Sequence, residues 1–229
     1  MFSQRSDQLE LLDQNEIPTQ DLYQNLRELD FINHWLGGYR ISFTALTKVL
    51  KRDHVLVDIG CGGGDTIKRM AAWSKKKKLP LNLMGIDLKQ VCVDYATQNV
   101  KDKEIPFICD DYRNLFDHIA HVDVIHACLF CHHLSNQQLI ELVRFCQDRS
   151  CTLVINDLER NPVAYYAIKW LTKIFSKSYL VKNDAPLSVL RGFKKKEWIE
   201  ILNRAGAINY MVKNRWAFRH EIIVYSTSL

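Results

Sequence analysis

The chain has 229 residues, 47% hydrophobic and 25% charged, with a formal net charge of +5. That balance suits one domain with a substantial core and excludes a disordered or fibrous chain. No apolar run approaches the length of a bilayer span, and the residues from Met1 to Gln8 lack the hydrophobic stretch of a secretory signal, so a cytoplasmic protein is expected.

Residues 1–20 are polar, contain Pro18 and read as a loose tail or short helix. From Asp21 to about Leu50, apolar residues at helical spacing (Leu22, Leu26, Leu29, Ile32, Leu36) are interrupted by Gly37-Gly38, which predicts two helices joined at the glycines. Short apolar runs then alternate with helical stretches. The runs are Val55–Ile59, Leu81–Ile86, Ile105–Cys109, Val122–Cys128 and Thr152–Ile155, with helices expected near 65–77, 89–101 and 135–148. Continuous hydrophobicity is the mark of strands covered on both faces, and strand–helix alternation means a parallel sheet with right-handed crossovers. An aromatic-rich segment follows at 162–191, then a helix at about 194–205 and two further runs of strand character, Ile208–Lys213 and Glu221–Ser226. The seven cysteines, several of them in apolar runs, read as reduced thiols. Residues 161–229 hold 12 Lys/Arg against 4 Asp/Glu, so this third is basic, and a solvated face is the simplest reading of it.

The strongest motif is Val55-Leu56-Val57-Asp58-Ile59-Gly60-Cys61-Gly62-Gly63-Gly64-Asp65, a strand entering a glycine-rich turn from which a helix begins. Glycine is required where the backbone turns sharply and approaches a ligand with no Cβ between them. A dinucleotide fingerprint would carry Gly at the sixth position, where Asp65 stands, and the Gly-Lys-Ser/Thr ending of a phosphate loop is missing. Asp58 before the turn suits a ligand with an ammonium group and no phosphate. Asp87, closing the second strand, can accept hydrogen bonds from both ribose hydroxyls, and Asp110-Asp111 closes the third. Three strands therefore present acids at the edge where open α/β sheets bind ligands.

In this order the motifs resemble those of the class I S-adenosylmethionine-dependent methyltransferases. The resemblance covers roughly residues 21–229. It implies a Rossmann-like, doubly wound α/β fold with seven strands, mostly parallel with a C-terminal antiparallel strand, and an N-terminal helical extension over residues 1–50. It also implies S-adenosyl-L-methionine as cofactor and S-adenosyl-L-homocysteine as product. Asp58, Gly60, Cys61 and Gly62 would surround the methionine end. Asp87 and Leu88 would border the ribose, Asp111 and Tyr112 the adenine, and Cys128 the edge of the fourth strand.

The acceptor end is read from two strand ends. Cys128-Leu129-Phe130-Cys131-His132-His133 has the spacing of a c-type haem attachment, but no export signal accompanies it. A zinc site from Cys128, Cys131, His132 and His133 is disfavoured because strand geometry would point the two cysteines to opposite faces. No metal is assigned. His132 and His133 become candidate general bases, since imidazole titrates near neutrality, with Asp157 a third candidate for handling protons. Arg160 follows at the open end of the fold and is a candidate contact for a polar group of the acceptor. Residues 163–181 combine aromatics with Lys169, Lys173 and Lys177 at every fourth position, and predict an amphipathic basic helix. Such a helix could be a lid over an apolar acceptor, a peripheral membrane contact, or a core helix with a solvated stripe. Tyr166, Trp170 and Arg191 are candidate acceptor contacts, with Trp35 and Tyr39 as lid residues.

A weaker resemblance, carried by Asn156-Asp157-Leu158, Arg160, Pro162 and Tyr165-Tyr166 together with Phe31–Gly38, is to bacterial methyltransferases of aromatic polyketides, quinones or lipid-like metabolites. It implies a small, apolar or phenolic acceptor, with O-methylation favoured. The alternatives are an RNA or protein methyltransferase, an inactive S-adenosylmethionine-binding interaction protein and an NAD(P)-dependent oxidoreductase. The basic C-terminal third supports the first, but no stacking module for nucleic acid is evident.

Overall fold

The computed structural model describes residues 2–13 and 17–226. Seven strands are formed by Val55–Ile59 (β1), Asn82–Asp87 (β2), Phe107–Cys109 (β3), Val124–Cys128 (β4), Thr152–Leu158 (β5), Tyr210–Arg215 (β6) and Arg219–Val224 (β7). They make one sheet in the order β3-β2-β1-β4-β5-β7-β6, and β7 runs antiparallel between β5 and β6. Strand order reverses between β1 and β4, which opens a crevice at their C-terminal ends.

Nine α-helices are described: Thr19–Trp35 (α1), Gly38–Val49 (α2), Asp65–Lys77 (α3), Gln90–Asn99 (α4), Leu115–His118 (α5), Asn136–Asp148 (α6), Pro162–Phe175 (α7), Tyr179–Arg191 (α8) and Lys195–Ala205 (α9). Successive strand residues point to opposite faces, so each strand feeds two cores. Val57, Ile125, Leu153 and Ile222 pack with Leu142 of α6 and Trp198 and Ile201 of α9. Leu56, Val124, Val154 and Ile223 pack on the other face with Leu46 of α2 and Ile67 and Met70 of α3. This two-sided burial is why the strands read as continuous apolar runs.

The expected strands and helices are present, with boundaries moved by a few residues. β3 starts only at Phe107, because Pro106 has no N–H to give a ladder. Gly37, at φ 73°, makes the left-handed corner between α1 and α2. Two expectations are corrected. The segment 163–181 is not one helix: it breaks at Ser176–Ser178, where the Glu28 carboxylate accepts from the Ser176 hydroxyl and from the Lys177 and Ser178 N–H groups at 3.1 Å each. The N-terminal segment is not a loose tail, since residues 2–13 are strapped across the sheet's C-terminal edge. The Arg5 guanidinium donates to the carbonyls of Arg191, His132 and Leu134 and lies over the Phe193 ring.

On the α2 side of the sheet, the next residue inward from the crevice in each of three strands is polar: Asp58, His126 and Asn156. Asn156 Nδ2 donates to Ser42 Oγ at 2.9 Å, the Ser42 hydroxyl is 3.0 Å from His126 Nε2, and His126 Nδ1 is 2.6 Å from Asp58. All four groups are buried. With Asn156 donating to Ser42, the serine proton is free to go to Nε2, and Nδ1–H is left to donate to Asp58. Removing one member strands the others without water, so His126→Ala should lower the unfolding free energy by about 3 kcal/mol. Urea denaturation measures this, and a loss below about 1 kcal/mol would contradict the network.

Candidate active site

β1 delivers its chain into the glycine bend and β2 ends beside it. Gly60 and Gly62 have φ of 61° and 51°, and a Cβ on Gly60 would come within 2.2 Å of the Phe130 ring. Only glycine fits there. The Gly62 N–H donates to Asp87 Oδ2 at 2.9 Å and the Lys89 N–H to Asp87 Oδ1 at 3.0 Å. Burial lifts the Asp87 carboxyl above its ordinary value, with the two backbone donors opposing the shift. Each carboxylate oxygen keeps accepting capacity for a ligand hydroxyl.

A cavity of about 480 Å³ opens at this edge. Asp58, Gly60, Cys61 and Gly62 line it, as do Asp87, Leu88, Asp111 and Tyr112, and Cys128 and Tyr39 stand on its wall. The cofactor-side residues expected from sequence thus share one space. Asp58 does so with one oxygen already engaged by His126, and the Asp111 carboxylate is held by Arg113 at 2.6 Å. The Asp111 carboxyl lies below its ordinary value, chiefly through that Arg113 hydrogen bond. The Tyr39 hydroxyl donates to Asp30 at 2.7 Å, and Asp30 also pairs with Arg69 at 2.9 Å. Leu129, at the end of β4, is held at φ 53°, a conformation costly for a leucine, and lines the same cavity.

At the other end of the cavity the strap meets the tip of β4. His133 and Asp13 line the cavity, and His133 Nδ1 is 3.1 Å from Asp13. Glu10 is buried with its oxygens 3.6 Å from His132 Nε2 and 3.9 Å from His133 Nε2, and it accepts from the Ser188 hydroxyl at 2.8 Å. Burial pushes the Glu10 carboxyl up to about 7. Burial works the same way on Asp13, but the hydrogen bond and charge of His133 overcome it and hold the carboxyl at about 2.

The remaining sequence-derived candidates take other roles. Asp157 is buried on the α9 side, 2.7 Å from His132 Nδ1, and also accepts from the His132 N–H at 3.0 Å. Burial opposes its ionisation, and His132 outweighs that to keep the carboxyl below its ordinary value. His132 and Asp157 are a buried pair behind the cavity wall and do not line it. Arg160 is corrected from acceptor contact to scaffold: it is buried, donates to the carbonyls of Phe2, Ser3 and Gly192, and pairs with Glu197 at 2.6 Å. Arg191 likewise donates to the carbonyls of His132, His133 and Gln8, and pairs with Asp13 at 3.2 Å. Trp35, Tyr166 and Trp170 are exposed and lie outside the cavity lining, which removes them as pocket residues.

Sequence reasoning missed Glu10, Asp13 and His126. His126 had a signal, as a polar residue inside the apolar run Val124-Ile125-His126-Ala127 needs a buried partner. Glu10 and Asp13 stand among Leu9, Leu11 and Leu12, an apolar cluster that marks an otherwise polar tail as docked.

Residues 56–149 match the family described as the methyltransferase domain. Over that stretch the chain is similar to a methyltransferase domain. A comparison with curated proteins finds no match. Among solved structures, the plantazolicin methyltransferase BpumL in complex with SAH is 20% identical with a TM-score of 0.64, over 91% of this chain and 89% of that one. The citrinin polyketide synthase CMeT domain is 15% identical with a TM-score of 0.57, over 80% of this chain and 49% of that one. A TehB-like SAM-dependent methyltransferase of Corynebacterium glutamicum is 15% identical with a TM-score of 0.50, over 84% and 88%. At these identities the likeness establishes the fold. The family match to the methyltransferase domain spans β1 to α6, which includes the glycine bend, Asp87, Asp111 and His133.

The strap's docking has a pH signature. The folded Glu10 carboxyl, at about 7, lies above its unfolded value near 4.5, so the stability it contributes is full below pH 4.5 and is lost as pH rises through 7. Relative to Glu10→Gln, the wild-type protein should therefore lose up to about 3 kcal/mol between those limits. Denaturation of both proteins at pH 5 and pH 8 checks this, and a wild-type stability that holds level or rises with pH relative to Glu10→Gln would contradict the assignment.

Proposed function

We propose that this methyltransferase transfers the methyl group of S-adenosylmethionine to a small apolar or phenolic acceptor, with oxygen as the favoured atom. The observation that carries this reading is one cavity lined both by Asp87 and the glycine bend and by His133. Its volume is in the range of nucleotide-sized sites, and Leu26, Leu29, Leu129, Phe130 and Leu134 give it apolar wall.

The residues fit an adenosyl sulfonium. The positive-φ glycines let the ligand lie against bare backbone. The free lone pairs of Asp87 suit a ribose diol, and Asp58 supplies negative charge towards an ammonium group. S-adenosylmethionine supplies a methyl group already activated for displacement. The protein's own contribution is to hold the acceptor oxygen in line and to exclude water from the apolar end. A phenol loses its proton as its oxygen bonds to the methyl carbon, and His133 is the imidazole that lines the cavity and can take that proton. Glu10 and Asp13 flank the His133 ring, and Arg191 donates to its backbone carbonyl.

Asp87→Ala should weaken S-adenosylhomocysteine binding about 10- to 100-fold, as expected for two lost charged hydrogen bonds. Calorimetric titration measures this, and unchanged affinity would put the ribose elsewhere. His133→Ala should lower turnover of a phenolic acceptor at least about 100-fold while the affinity for S-adenosylhomocysteine stays within about twofold. Undiminished turnover would remove His133 from the proton's path.

A further inference from the structure

α7 is apolar on the side that faces away from the protein. Ala164 and Thr172 are buried against the body, and Ile168 is partly covered. On the opposite side Val163, Tyr166, Trp170 and Ile174 recur at intervals of three and four residues and form one stripe. They are 62%, 52%, 59% and 66% exposed. Four large apolar side chains in one exposed row is not an ordinary surface, since such rows mark an interaction face. Phe175 and Tyr179 continue the row across the corner into α8, and both are also exposed. Glu28 of α1 clamps that corner, and one and two turns further along α1 stand the exposed Phe31 and Trp35.

The charge around the row identifies what covers it. Lys169 and Lys173 run along one flank of the stripe, with Lys177 at its end, and no Asp or Glu occurs from Asn161 to Asn183. The Lys173 ammonium stands 5.3 Å from the Trp170 ring. Tryptophan and tyrosine favour the boundary between acyl chains and headgroups, and lysines beside them meet anionic headgroups. A twofold pairing of two copies would instead set like patch on like patch, bringing these lysines together with no acid in the segment to neutralise them. No described helix is long and apolar enough to cross a membrane, so any contact here is along the surface.

We propose that the outward face of α7 docks this protein on an anionic lipid surface. Val163, Tyr166, Trp170 and Ile174 enter the interface, and Lys169, Lys173 and Lys177 meet the headgroups. The inference does not rest on the acceptor assignment, because none of these residues lines the cavity.

The test is co-flotation of the full chain with phosphatidylcholine vesicles, with and without roughly one-third phosphatidylglycerol. The wild-type protein should bind the anionic vesicles at least about tenfold more tightly than the zwitterionic ones, and less tightly as salt is added. Trp170→Asp combined with Ile174→Asp should weaken binding at least about tenfold, and Lys169→Gln and Lys173→Gln about fivefold each. Trp216→Ser, at an exposed tryptophan between β6 and β7, should have no effect. Binding of S-adenosylhomocysteine without vesicles should be unchanged in every variant, which separates this proposal from the methyl-transfer reading and shows that the variants fold. Absence of binding to anionic vesicles, or equal binding by wild type and the Trp170 variant, overturns the proposal. So does a dimer in solution that Trp170→Asp dissolves while vesicles capture nothing, because the face would then belong to a second copy.

Discussion

The Asp87 carboxylate, shared between the Gly62 and Lys89 N–H groups, is the constraint on which the rest of the site depends. It joins the end of β2 to the glycine bend after β1, so two neighbouring strand tips hold a fixed spacing where the sheet order reverses. A buried carboxylate is costly, and the two backbone donors offset much of that cost while leaving lone pairs directed at the cavity. The glycines make the bend possible, and the ring of Phe130 fills the space that a side chain on Gly60 would need.

The two faces of the sheet divide the polar work. Towards α2, Asp58, His126, Ser42 and Asn156 form a buried chain that stiffens the floor beneath the methionine end of the proposed cofactor. Towards α9, Asp157 and His132 lock the tip of β4, while Arg191 and Arg5 gather its carbonyls. His133 is consequently presented to the cavity from a backbone held on several sides. The N-terminal strap completes the arrangement, since Glu10 and Asp13 come from residues that precede the first helix.

Much of this was legible in the sequence because it depends on local chemistry. The bend from Gly60 to Gly64, the acids closing β1, β2 and β3, and the apolar runs between them define strand, turn and sheet without knowledge of distant residues. The expectations that failed depended on partners far along the chain. Arg160 and Arg191 looked like acceptor contacts because a strand end and a helix entry are where such contacts occur. Nothing nearby in sequence reveals that the carbonyls of Phe2, Ser3 and Gln8 claim them. The break at Ser176–Ser178 was hidden for the same reason, as Glu28 is nearly 150 residues away. Residues 2–13 looked loose because their composition is polar, and their order comes from contacts with α8 and the tip of β4. The stripe on α7 was recognised as amphipathic, but only the fold decides which face is turned outward, and it is the apolar one.

The most direct measurement is a crystal structure of the protein with S-adenosylhomocysteine bound. The account predicts both ribose hydroxyls within hydrogen-bonding distance of the Asp87 carboxylate, the nucleoside's sulfur over the glycine bend, and His133 facing the thioether side of the same cavity. A nucleoside bound with Asp87 turned away from its ribose, or seated in any other crevice, would contradict it.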